Sequence, residues 1–113
     1  MRAWSAALDR NDNDRAASLF AAGAMVVQNG TITLATHADA AAWNAALPCG
    51  GTITSIAQHG SDEVVAVFDL GARPHHACDT PGEQAAALFR IVRGKIVLWH
   101  QVDTGGGPRT EAA

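Results

Sequence analysis

Apolar and polar positions follow two different rhythms along this chain. Trp4, Ala7 and Leu8 recur at i, i+3 and i+4, and the same spacing returns as Ala16, Leu19 and Phe20 after the polar break Asn11-Asp12-Asn13-Asp14. That is the period of a helix with one buried side, so two short helices are predicted. Asp12 is the expected N-cap of the second, Asp14 adds negative charge at its positive end, and Gly23 is expected to end it. Met25-Val26-Val27-Gln28 and Thr31-Ile32-Thr33-Leu34 flank Asn29-Gly30 and read as two short strands around a tight turn. A third, alanine-rich helix is predicted over about Ala38 to Leu47, stopped by Pro48-Cys49-Gly50-Gly51.

Beyond Gly51 the rhythm becomes that of strands. Thr52 to Gln58, a turn at Gly60-Ser61-Asp62, and Glu63 to Leu70 predict a hairpin. A loop from Gly71 to Gly82, stiffened by Pro74 and Pro81, leads to strands over Glu83 to Val92 and Lys95 to Asp103, with a turn at Arg93-Gly94. Helices first and an antiparallel meander afterwards is an α+β pattern. Both parities of the late strands are apolar, as in Val64, Ala66, Phe68 and Leu70 against Val65 and Val67. Three short helices cover one face only, so the other is expected to meet a second copy of the chain, a homodimer through Leu88, Ile96, Leu98, His100 and Val102.

The composition fits one globular domain: 113 residues, 48% hydrophobic and 17% charged. A single domain over residues 1–104 and a flexible tail over 105–113 are expected, the latter from Gly105-Gly106-Gly107-Pro108. The formal charge of −3 argues against nucleic acid and anionic membrane, which require clustered Lys and Arg. No apolar stretch has signal-peptide or transmembrane length, so a cytoplasmic protein is expected. Cys49 and Cys78 stand far apart with no Cys-x-x-Cys, and read as reduced packing cysteines. No glycine-rich phosphate loop or nucleophile elbow is present, and no cofactor is expected.

Asp69 is the most informative candidate, because a carboxylate in an apolar strand must reach solvent or sit in a cavity with a partner. On the cavity side it would be a general base raised by desolvation, with Val67 on the same face and the inward Gln101 nearby. In the last strand, inward Trp99 and Gln101 put Asp103 inward and His100 outward. The run His75-His76-Ala77-Cys78-Asp79 holds metal-ligand residue types without a spaced second pair, so no metal is assigned. The loop reads instead as the edge of a cavity, where Arg73 or His75 would meet a polar substituent. The acidic run Asp9 to Asp14 lacks the glycine and glutamate of a calcium loop. Trp43, Phe89 and Trp99 are the expected aromatic lining.

Two segments carry a resemblance to a known family. Trp4-Ser5-Ala6-Ala7-Leu8-Asp9-Arg10-Asn11-Asp12 with Leu19-Phe20-Ala21-Ala22-Gly23-Ala24, and Phe89-Arg90-Ile91-Val92-Arg93-Gly94-Lys95-Ile96-Val97-Leu98-Trp99-His100-Gln101, are similar to the opening and ending of the NTF2-like superfamily. The likeness is strongest to its SnoaL-like branch of polyketide cyclases, ketosteroid isomerases and limonene-epoxide hydrolases. It implies a cone in which a curved mixed sheet wraps three helices around an apolar cavity, usually in a homodimer. The isomerase base position falls on Gln28, which takes no proton near neutral pH, and the second acid on Ala87. The hydrolase pattern keeps one carboxylate, in Val67-Phe68-Asp69, and has Trp99-His100-Gln101 at its second acidic site. A protein that binds a small apolar or mildly polar ligand is therefore expected. The alternative is a cofactor-free cyclase, isomerase or hydrolase with Asp69 as base and Gln28 or Gln101 orienting substrate or water.

Overall fold

The structure, a computed structural model, describes residues 1–104. The tail expected over 105–113 lies outside the described residues. Three helices, α1 (Arg2–Asp9), α2 (Asn13–Ser18) and α3 (His37–Ala46), accompany six strands, β1 (Phe20–Val27), β2 (Thr31–Leu34), β3 (Gly50–Gln58), β4 (Glu63–Gly71), β5 (Gln84–Val92) and β6 (Lys95–Val102). They form one open mixed sheet in the order β2-β1-β6-β5-β4-β3, in which only the β1–β6 pair is parallel.

Local chemistry explains the helix starts. Asp12 caps α2 by accepting from the Arg15 N–H at 3.1 Å, and Thr36 caps α3 in a reciprocal box with Asp39. His37 and Asp14 meet at 2.6 Å between α2 and α3. The inner face of the sheet packs on the helices through Ala24, Val26, Ala66, Phe68, Ala87, Phe89, Ile96 and Trp99, against Trp4, Ala7, Leu8, Ala16 and Ala17. Trp4 sits at the centre of an aromatic cluster, with ring centroids 6.0 Å from Phe68, 5.5 Å from Phe89 and 6.2 Å from Trp99. A smaller cluster on the outer face joins Val65, Ala86 and Val102 with half-buried Val67 and Leu88.

Three expectations need correction. Gly23 does not end α2; the helix stops at Ser18, and Gly23, at φ 81°, sits inside β1 where the pairing with β6 shifts register between Phe20 and Met25. Ile96 does not lie on the outer face. The β5–β6 register skips a residue, pairing Arg90 with Leu98 but Ile91 with Ile96, and this bulge turns Ile96 into the core. Cys49 and Cys78 are joined in a disulfide, their Cα atoms 4.7 Å apart. Their separation in the chain carries no sign of it, because the pairing is made by the return of the β4–β5 loop over the start of β3.

Candidate functional site

A cavity of about 170 Å³ opens at one end of the inner face. Its origin lies in strand β5. At the core end of that strand Phe89 fills the space beneath the helices, whereas Ala85 and Ala87 stand on the same face at the other end. Ala85 pairs with Phe68 and Ala87 with Gln101, so the small side chains leave a hollow between larger ones. A run of alanines in a strand, where alanine is a poor former, was the sequence signal for this hollow. Trp4, Ser5 and Leu8 of α1 supply part of the wall, and Leu47 to Gly51 with Thr80 another part. The two glycines permit the tight closure: a Cβ on Gly50 would overlap Asp9 Oδ1, and one on Gly51 would lie 2.9 Å from the Asp69 carbonyl oxygen. Asp9 Oδ1 instead accepts from the Gly51 N–H at 2.8 Å.

No carboxylate, imidazole, amine or guanidinium lines the cavity among the described residues. Its polar groups are Ser5, Thr80, the amides of Gln28 and Gln101, and two indoles. Pairing of Val27 with His100 sets Gln28 and Gln101 side by side at the ends of parallel β1 and β6. The indoles differ. Trp4 Nε1 donates to Asn44 Oδ1 at 2.7 Å, and Asn44 is itself held by the Ala40 carbonyl at 2.8 Å. Trp99, 7% exposed, has its Nε1–H buried without an acceptor among the described residues.

The residues singled out from the sequence are distributed unevenly around this cavity. Gln28, Trp99 and Gln101 line it. Phe89 and Trp43 belong to the core beside it: Phe89 is fully buried, and Trp43 packs on Phe20 and Trp99 at 5.8 and 5.1 Å. Asp69 and Val67 are on the outer face, opposite the cavity-lining Phe68. Asp69 is exposed and takes a long 3.4 Å hydrogen bond from Gln84 Nε2. Since β4 presents Ala66 and Phe68 to the helices, strict alternation sends both neighbours outward. Asp103 follows β6, half-buried and outside the lining, and His75 is exposed on the loop at φ 63°.

Arg73 does not face the cavity either. It is 3% exposed and donates to the carbonyls of Asn44 and Leu47 at 2.8 and 2.7 Å, and to Asn11 Oδ1 and Asn13 Oδ1 at 2.8 and 2.6 Å. Burial lowers its pKa from the usual value, and Asp9 opposes that shift. A buried guanidinium needs such acceptors, and the carbonyls at the C-terminal end of α3 also offer it the negative end of a helix dipole. The side chain thus pins the loop after β4 to both helix ends. This role was hidden because the acceptors are backbone carbonyls and amides scattered across the sequence.

Neither a protein-family model nor a curated protein matches this chain. Solved structures do. An NTF2-like protein of unknown function from Cytophaga hutchinsonii superposes with a TM-score of 0.71 at 12% identity, covering 89% of this chain and 83% of its own. A hypothetical protein with a ketosteroid isomerase-like fold from Catenulispora acidiphila, solved in complex with trimethylamine, gives 0.65 at 23% identity, with 89% and 82% covered. A candidate polyketide cyclase from Sinorhizobium meliloti gives 0.70 at 17% identity, with 88% and 89% covered. With its three helices held in the curve of an open six-stranded mixed sheet, the chain has the NTF2-like fold.

Proposed function

We propose that this protein binds a small, uncharged, largely apolar molecule in the inner-face cavity and does not convert it. The observation that carries this reading is the absence of any ionisable side chain from the lining among the described residues. Proton transfer needs a group that changes charge within hydrogen-bond reach of the substrate, and Asp69 is on the far side of the sheet. A charged ligand would enter without a counter-ion, at a large desolvation cost. The volume is close to that of the ~150 Å³ apolar cavity known to accept benzene. Trp99 Nε1 has no acceptor among the described residues, and a ligand oxygen would supply one, with Gln28 and Gln101 as further polar contacts. The trimethylamine held by the Catenulispora neighbour is also a very small ligand.

Ligand-observed NMR with toluene, benzaldehyde, benzoate and trimethylammonium tests this reading. The two neutral aromatics are expected to bind, and Ala85→Leu, which fills the hollow, to abolish their binding. Benzoate binding, or an unchanged response in the filled variant, overturns the proposal. Preference for trimethylammonium would instead assign the faces of Trp4, Phe68 and Trp99 to a cation.

We also infer that the outer face joins a second copy of this chain. Val27, His100, Leu88, Val65 and Ala57 form one cross-strand row there, four apolar side chains and one imidazole, and Val102, Ala86 and Val67 the next. The Arg90–Glu63 ion pair borders this apolar band on one side and the Gln84–Asp69 contact on the other. An apolar centre with a polar rim is the usual make-up of a protein interface, and the family resemblance implies a homodimer.

A further inference from the structure

The loop over residues 72–82 reaches the cavity wall at Thr80, and its attachments are unequal. Near its start, Arg73 makes the four hydrogen bonds already described, and the His76 ring lies between two carbonyl oxygens, Nδ1 2.8 Å from Pro74 and Nε2 2.7 Å from Ala45. At its end, the Gly82 N–H donates to the Leu70 carbonyl at 2.8 Å and the Glu83 N–H to the Thr80 carbonyl at 3.1 Å. Between these anchors, no hydrogen bond among the described residues holds Ala77, Cys78 or Asp79. Their tie to the rest of the described chain is covalent, from Cys78 to Cys49. Cys49 stands on the cavity wall beside Gly50 and Gly51, and Thr80, two residues past Cys78, is also in the wall. Both cysteines are half-buried rather than sealed in the core.

We infer that the Cys49–Cys78 bridge is a strap on the cavity wall, and that its reduction by a dithiol weakens ligand binding while leaving the rest of the fold in place. The inference rests on the reading of the cavity as a binding site. A thiolate of the dithiol attacks one sulfur and forms a mixed disulfide, and the second thiol of the same molecule then displaces the cysteine. Two electrons pass to the Cys49–Cys78 bond, each sulfur takes a proton, and the reductant leaves as its own disulfide. Ala77 to Asp79 then lose their covalent tie, Thr80 can leave the wall by giving up its bond from the Glu83 N–H, and a ligand must order the segment again on binding. Arg73 and the β-ladders do not depend on the bridge, so the change stays local. By linkage, a bound ligand makes the bridge harder to reduce by the same factor.

The experiment compares the oxidised full chain, the chain in dithiothreitol, and a Cys49→Ser/Cys78→Ser double variant. Each is titrated with toluene by NMR, and amide hydrogen exchange and far-UV circular dichroism are followed. If re-ordering costs about as much as fixing one backbone residue, toluene affinity falls about tenfold in both bridge-free forms. Protection of the Glu83 amide is expected to fall with it, while β5 and β6 amides keep theirs and the circular dichroism is unchanged. Equal toluene affinity with and without the bridge overturns the inference. So does global unfolding on reduction, which would make the bridge a staple of the whole fold. Failure of toluene to bind even the oxidised chain removes the binding-site reading instead, and Glu83 exchange then decides the strap alone: retained protection overturns it, local loss upholds it.

Discussion

Phe68 and Asp69 are consecutive in β4, yet they belong to different regions of the molecule. Phe68 faces the helices, contacts Trp4 and Phe89 edge-on or tilted, and forms part of the cavity wall. Asp69 points the other way, to the rim of an apolar band that no element of the described chain covers. The inner face is closed by helices and left hollow where alanines stand between larger residues; the outer face carries mid-sized aliphatic side chains in cross-strand rows, with His100 among them. One face is therefore suited to holding a molecule and the other to meeting a surface. Chemistry assigned to a strand has to be assigned to a face first, because a single step along the chain exchanges one environment for the other.

The contrast is broken most severely at Phe68. Phe68→Ala removes a buried ring already next to a cavity, and is expected to cost about 3–5 kcal/mol in urea unfolding, with a cooperative transition. A loss below about 1 kcal/mol would mean that the inner face is not packed as described. Leu88→Arg attacks the opposite face, at the centre of the band. It is expected to weaken self-association at least a hundredfold, about 2.7 kcal/mol, measured by light scattering across a dilution series with circular dichroism as the fold control. A wild-type monomer at micromolar concentration, or an unaltered dimer in the variant, removes the interface. The smallest effect sharpens the comparison best: Asp69→Asn is expected to shift stability by less than about 0.5 kcal/mol and to leave toluene binding unchanged. A large loss of binding would return Asp69 to the cavity.

The order of elements was legible because periodicity survives without tertiary knowledge. The spacing of Trp4, Ala7 and Leu8, the cap at Asp12 and the Asn29-Gly30 turn all act over a few residues, and the helices and strands lie close to where those signals put them. The assignment of faces was not legible in β4. Val65 and Val67 are as apolar as Ala66 and Phe68, and the smallness of Ala66 disguised the buried parity. In β6 the inward turn of Ile96 follows from one skipped residue in the ladder, which depends on the neighbouring strand. The disulfide and the Arg73 clamp escaped for a related reason: both join segments remote in sequence, and neither leaves a local pattern.

The parallel pairing of β1 with β6 also bears on how the chain reaches this state. Of the described strands β1 leaves the ribosome first, but apart from the short β2 its neighbour in the sheet is β6, the last of them, spanning Lys95–Val102. Through most of synthesis the nascent β1–β2 ribbon has an open edge and no sheet to join, and an isolated two-stranded ribbon is marginal in water. The β3–β4 hairpin, in contrast, pairs as soon as it is made, and β5 and β6 extend it one strand at a time. Closure of the β1–β6 seam has the longest loop to close and so the largest loop-closure cost of the strand pairings. Until β6 is in place, the edge of β1 that carries Met25 and Val27 is unpaired, and an unpaired edge is the kind of surface on which another chain can add a strand.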